Sequence, residues 1–201
     1  MKHRWTLPAL LVLAALPAGA HPFAKETYSL YNALRVGEGK VSAVVVLEVP
    51  RTVVLADIKA RIDAGDGKRK AVKDHDDARF DSLSKGLTLT VAGKPVQVDW
   101  RPLATPSNGK AVEDFFMYWV GAEIPVDPAW GDTVTVQLAN TAYAEADMVY
   151  SGTVQARGDW TVTKSSAVDV LGVDPSSLDR NDPKAWSDDP RLRTVTGTWK
   201  H

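Results

Sequence analysis

Apolar and polar residues alternate with period two through most of this chain, and β-branched residues fill many of the apolar positions. A chain so patterned has to pair into sheets that bury one face. The plainest case runs from Leu87, Leu89 and Val91, separated by Thr88 and Thr90, through Ala92-Gly93-Lys94 to Val96, Val98 and Trp100, separated by Gln97 and Asp99. This reads as a β-hairpin about a tight turn. Val41 to Val49 is almost wholly apolar, which predicts a central strand buried on both faces. Further strands are expected at Phe115 to Ile124, Thr133 to Leu138, Met148 to Ala156, Trp160 to Lys164 and Thr194 to Trp199.

Two segments break that period. Val54, Leu55, Ile58 and Ile62 fall at helical spacing, as do Val72, Phe80 and Leu83 beyond the polar stretch Asp63 to Lys70, so two short helices are expected between strands. Asp74 is placed to cap the second, with Asp76 and Asp77 in its first turn, where carboxylates complement the helix dipole. Gly172 to Pro190, rich in Asp, Pro and Ser, predicts an irregular excursion before the last strand. The expected fold is mainly β: an immunoglobulin-like antiparallel β-sandwich with a small helical insertion, lacking the Cys-Trp-Cys signature of that class. An up-and-down barrel is the alternative.

The first twenty residues carry a different signal. Lys2 and Arg4 precede an apolar run from Leu7 to Leu16, and Ala18-Gly19-Ala20 is a small-residue cleavage site, so residues 1–20 read as a secretory signal peptide and His21 as the first residue of the exported chain. The remaining 181 residues fit one domain, with residues 172–190 as its irregular part. Export removes Lys2 and Arg4 and no acid, leaving 22 basic against 25 acidic side chains and a net charge of −3. That balance argues against a nucleic-acid or anionic-membrane binder. No later apolar run approaches the roughly 20 residues of a spanning helix, so a soluble periplasmic or secreted protein is expected. There is no cysteine, which excludes disulfides, thiolate metal sites, cysteine catalysis and a bacterial lipid anchor.

A free N-terminal histidine offers an α-amine and an imidazole nitrogen that can chelate one metal ion together. His21 is therefore the first candidate ligand for a copper or nickel ion. His75 is the best-placed second imidazole, with Asp74 and Asp76 as flanking oxygen donors, whereas His201 ends the chain and is expected to fray. Pro22 has no amide proton, so a square-planar site built on deprotonated peptide nitrogens is disfavoured. Asp74 to Asp77 read equally well as a capped helix start and nothing more. Asp63-Ala64-Gly65-Asp66-Gly67 superficially suggests a calcium loop, but Gly65 stands where a ligand belongs and a solvated turn accounts for it better. No G-x-S-x-G, H-E-x-x-H or phosphate loop occurs, and Asp188-Asp189 read as solvated acids, so the chain is not expected to be an enzyme. Trp100 and Trp119 are expected in the core, while Trp130, Trp186 and Trp199 are the candidates for an exposed sugar-stacking platform.

The start His21-Pro22-Phe23, then Tyr28-Ser29-Leu30-Tyr31, the strand Val41 to Val49, the hairpin Leu87 to Val98 and the strands Phe115 to Pro125 and Thr133 to Thr141 together resemble a known family. The chain is similar to the extracytoplasmic N-terminal region of HupE/UreJ-type nickel and cobalt permeases and related periplasmic proteins. The resemblance implies a β-sandwich with His21, beside Pro22, as the position carried over. It departs from the permeases in having no membrane helices, so it implies a freestanding accessory protein that binds a transition metal or docks on a membrane permease or another periplasmic protein. A secreted carbohydrate- or surface-binding module is the alternative.

Overall fold

The computed structural model describes residues 26–104, 114–179 and 182–201; the expected signal segment and His21 lie outside them. Strands β1 (Tyr28–Gly37), β2 (Lys40–Pro50), β5 (Arg101–Ala104), β6 (Phe115–Pro125) and β8 (Met148–Ala156) form one sheet in the order β5-β6-β2-β1-β8. Strands β3 (Leu87–Val91), β4 (Lys94–Val96), β7 (Thr133–Asn140), β9 (Thr161–Ser165) and β10 (Thr194–Lys200) form the other, in the order β4-β3-β7-β10-β9. Alternate residues of the two meet in one core: Leu30, Leu34, Val45 and Val120 from the first, Leu89, Val136, Leu138 and Trp199 from the second. The outward residues of the second sheet are polar and paired across strands, as where the Thr135 and Thr198 hydroxyls lie 3.0 Å apart. This is the mainly β sandwich that the alternation implies.

The central strand is as expected over its second half: Val45 to Val49 are buried on both faces, with β6 on one side and β1 on the other. Strand β1 lies outside the set read from alternation because Asn32 occupies an inward position between Leu30 and Leu34. Its amide is accommodated by donating to the Leu192 carbonyl at 2.9 Å. β1 also pairs in parallel with β8, so the first sheet is mixed, not antiparallel throughout. The Ala92-Gly93 hairpin forms, both residues at positive φ (49° and 77°), as a two-residue turn between right-twisted strands requires. Its second strand is shorter than expected: Val98 and Trp100 leave the sheet and pack against the core from its margin.

The insertion is a pair of helices, α1 (Arg51–Asp63) and α2 (Lys68–Lys85), that carries the chain from the first sheet to the second. Val54, Phe80 and Leu83 fasten it to the core. The break between the helices is only residues 64–67, and α2 starts after Gly67; Asp74 is six residues inside it, not its cap. The run Asp63 to Lys70 reads as a longer break because it is polar, yet its charges stabilise helix, since Lys70 bridges to Asp66 and Asp74 one turn either way.

A further short helix, α3 (Ser166–Leu171), ended by Gly172 in the left-handed region, precedes the irregular excursion. That excursion is a series of 3-10 turns, each begun by Asp-Pro. Asp174, Asp182 and Asp189 each accept the backbone N–H two residues on at 2.9 Å, and the following Pro needs no donor. It lies along the edge strand β8, where Tyr150 and Ser187 exchange both backbone hydrogen bonds, covering what would be an open sheet edge.

Candidate functional site

α2 presents Ala71, His75 and Phe80 inward, and α1 brings Asp57 alongside. The inward face of β6, alternating Tyr118 with Val120, brings a phenol from below. His75 is wholly buried and both its ring nitrogens are engaged: Nδ1 with the Asp57 carboxylate, Nε2 with the Tyr118 hydroxyl at 2.9 Å. Because Nδ1 faces a carboxylate it carries a proton and donates to Asp57, while Nε2 and the Tyr118 hydroxyl share the second bond. The phenol also donates to Asp76 Oδ1 at 3.4 Å, and Phe80 packs edge-on against its ring at 5.5 Å. Arg61 Nε lies 3.4 Å from Asp57 Oδ2, the same oxygen that faces His75.

The four groups form a chain, Asp57–His75–Tyr118–Asp76, that ties α1, α2 and β6 together. Burial would raise the Asp57 carboxyl, but its hydrogen bond and charge interaction with His75, helped by Arg61, outweigh that and hold it below the usual range. Burial raises Asp76, over the opposing pull of His75 and Tyr118. Burial, reinforced by Asp76, pushes the Tyr118 phenol far above its ordinary value. Such a phenol keeps its proton and is a poor nucleophile. An acid–imidazole–hydroxyl array has formed, but its hydroxyl and imidazole are sealed from solvent.

Of the residues proposed as metal ligands, His21 lies outside the described residues, and the other three are adjacent yet do not converge. Successive residues of a helix point about 100° apart, a geometry set by 3.6 residues per turn. Asp74 accordingly turns outward to Lys70, whose hydrogen bond holds its carboxyl low; His75 turns inward; Asp76 turns to Tyr118. Among the described residues no three His, Asp or Glu side chains gather as a metal site would require. The Asp63 to Gly67 segment is the turn between the helices, with Asp66 spent on Lys70. His201 is held, not frayed: its N–H donates to the Asp132 carbonyl at 2.9 Å and its ring packs edge-on against Trp160.

The tryptophans are also distributed differently. Trp199 is fully buried in the sandwich, where its indole N–H donates to the Gln155 carbonyl at 2.8 Å, and Trp186, within the excursion, is buried with Val149 of β8 and Ala185. Trp130 is half-buried against the main core. The three therefore do not form an exposed platform. Trp119, expected in the core, is half-buried between the inward Tyr118 and Val120, so it stands on the opposite face of its strand.

Of the grooves open among the described residues, two touch β6. One, of about 320 Å³, runs between α1 and α2, and the walls that solvent reaches are carbon, from Val54, Leu55, Ile58, Ile62, Val72 and Phe116. The other, of about 470 Å³, crosses β2 and β6 and is bounded by Asp99, Arg101, Leu103 and Glu123. Tyr118 and Asp57 are the site residues that sequence reasoning missed. Tyr118 alternates inward with Val120 in a recognisable strand, and Asp57 sits one turn from Arg61 in a recognisable helix, but nothing local indicates that they share a histidine.

The fold and site define a mainly β sandwich capped by a helical hairpin that a buried acid–imidazole–phenol chain clamps in place. No protein-family model matches the chain, and no curated protein matches it.

Proposed function

We propose that this chain is an exported, non-enzymatic accessory protein that acts by binding. The observation that carries the reading is the state of Asp57, His75 and Tyr118. The residues best suited to catalysis spend both imidazole nitrogens and the phenol proton on fastening the helices to the sheet, with no exposure at His75 or Tyr118. Among the described residues, the surfaces open for contact include the groove between α1 and α2 and the one across β2 and β6. Support for export is the basic-apolar-small pattern of residues 1–20, and the absence of a helix long and apolar enough to span a membrane among the described residues agrees with a chain that works beside a membrane permease instead of within one.

Copper or nickel chelation belongs to this reading through His21 alone, since its free amine and imidazole need no residue of the described structure. With His75 committed to Asp57 and Tyr118, further ligands to such an ion would come from elsewhere than residue 75. The test is calorimetric titration of copper(II), nickel(II), cobalt(II) and zinc(II) into protein beginning at His21, beside protein carrying one extra N-terminal residue. One-to-one binding that the extra residue abolishes is the expected result. Equal or negligible heat in both overturns the metal role and leaves docking on a partner as the function.

A further inference from the structure

We propose that the groove between α1 and α2 binds a single-chain anionic amphiphile, an alkyl carboxylate, with its chain along the apolar walls and its carboxylate held by Lys68. This site is separate from the His21 terminus and goes beyond the accessory reading, so it stands or falls on its own test.

The chain that forms α1 carries more apolar surface than its packing uses. Val54 is buried, Ile58 and Ile62 are half-buried, and Leu55 is 46% exposed, so the stripe that should close onto α2 instead leaves a carbon-walled trough. From Val54 to Ile62 the trough extends about 12 Å at the helical rise per residue, and Phe116 of β6 also lines it. A groove whose solvent-facing walls are carbon suits an alkyl chain better than a polyhydroxylated ligand.

Charge at the rim selects the head group. The acids of the two helices are engaged: Asp57 with His75 and Arg61, Asp63 with Lys59, Asp66 and Asp74 with Lys70, Asp77 with Lys73, and Asp81 with Lys85. Asp76 lines the trough through carbon and hydrogen-bonds Tyr118. Lys68, at the end where α1 gives way to α2, lines the trough and has no ion-pair partner among the described residues. At the other end Arg51 lies over the Phe116 ring, 6.0 Å from its centre, likewise without a carboxylate. The trough thus joins an apolar wall to uncompensated positive charge at its rim, the complement of an amphiphile with one negative head. A cationic amphiphile meets no free acid there.

The test titrates hexanoate, octanoate and decanoate, each below its micelle concentration, into the purified protein by calorimetry, with decyltrimethylammonium and decanol as controls. Affinity is expected to rise about fourfold with each methylene the trough can cover. Lys68→Glu is expected to weaken decanoate about fivefold and leave decanol unchanged. Leu55→Asn, at an exposed position where folding is retained and is checked by circular dichroism, is expected to weaken every chain length. The proposal is overturned by decyltrimethylammonium binding as well as decanoate, by indifference to both substitutions, by absence of heat, or by binding to phosphatidylglycerol vesicles without binding to decanoate, which would make the face a membrane contact.

Discussion

The Nε2 of His75 and the hydroxyl of Tyr118 lie 2.9 Å apart across 43 residues of sequence, and both side chains are inaccessible to solvent. That bond joins the helical insertion to the middle of a β-sheet. Through Asp57 on the other imidazole nitrogen it also joins the two helices to each other. The hairpin would otherwise rest on the sandwich through a few apolar contacts, chiefly Val54, Phe80 and Leu83.

Removing the imidazole should therefore destabilise the protein more than its size suggests. His75→Leu leaves the buried phenol without its nearest hydrogen-bond partner, and a loss of about 2 kcal/mol is expected from that unmet bond. Tyr118→Phe alone should cost about 1 kcal/mol. In the double variant the second change should add little, and urea unfolding of the four proteins measures the coupling. Strict additivity would show that the two groups do not act through each other.

Asp57 and Asp76 should pull stability in opposite directions as pH changes. The carboxyl of Asp57 is lower in the folded than in the unfolded state, so its contribution is present above the unfolded value and fades as pH falls through the folded one. The carboxyl of Asp76 is higher in the folded state, so the protonated form is favoured there, and that contribution is lost as pH rises from the unfolded value through the folded one. Asp76→Asn should accordingly raise the unfolding midpoint at pH 7 relative to the wild type and leave it nearly unchanged at pH 3. Equal shifts at both pH values would contradict the assignment.

Ala92 occupies the first position of the hairpin turn at φ 49°, a region that costs an L-residue with a β-carbon about 1–2 kcal/mol. Asn tolerates this conformation and Gly is indifferent to it. Ala92→Asn is expected to stabilise the protein by about 1 kcal/mol, seen as a rise in melting temperature with no change in fold.

Gly197 has no side chain because Trp199 and Val154 fill its space: a β-carbon there would meet the Trp199 ring at 2.4 Å and Val154 at 2.5 Å. Gly197→Ala should cost about 2 kcal/mol through overpacking. Trp199→Phe, which loses both volume and the hydrogen bond to Gln155, should also destabilise. Combining the two should cost less than their sum, because the smaller ring makes room for the methyl group. Denaturation of the three variants decides this.

Much of the sandwich was legible in single residues and their neighbours. Leu87 to Val91, Thr133 to Leu138 and Thr194 to Trp199 alternate because each must bury one face, and that requirement is written into every second residue. The Asp-Pro pairs at 174, 182 and 189 likewise announce their turns, since an aspartate that accepts a nearby N–H and a proline that lacks one need only each other. The helical spacing of Val54, Ile58 and Ile62 marked α1, and what it left undecided was whether that stripe would be covered.

Only the tertiary structure decided the rest. Asn32 hid β1, because a polar residue at an inward position breaks the alternation unless a distant carbonyl, that of Leu192, is there to receive it. Trp186 and Trp199 differ from an exposed tryptophan in nothing local; the excursion and the opposite sheet bury them. The sequence by itself determined most of the strands and the two helices of the insertion, because periodicity and composition act between near neighbours. That both ring nitrogens of His75 are engaged was decided by packing, which brought Asp57 from one helix and Tyr118 from one strand to them and spread Asp74 and Asp76 to other sides of their helix.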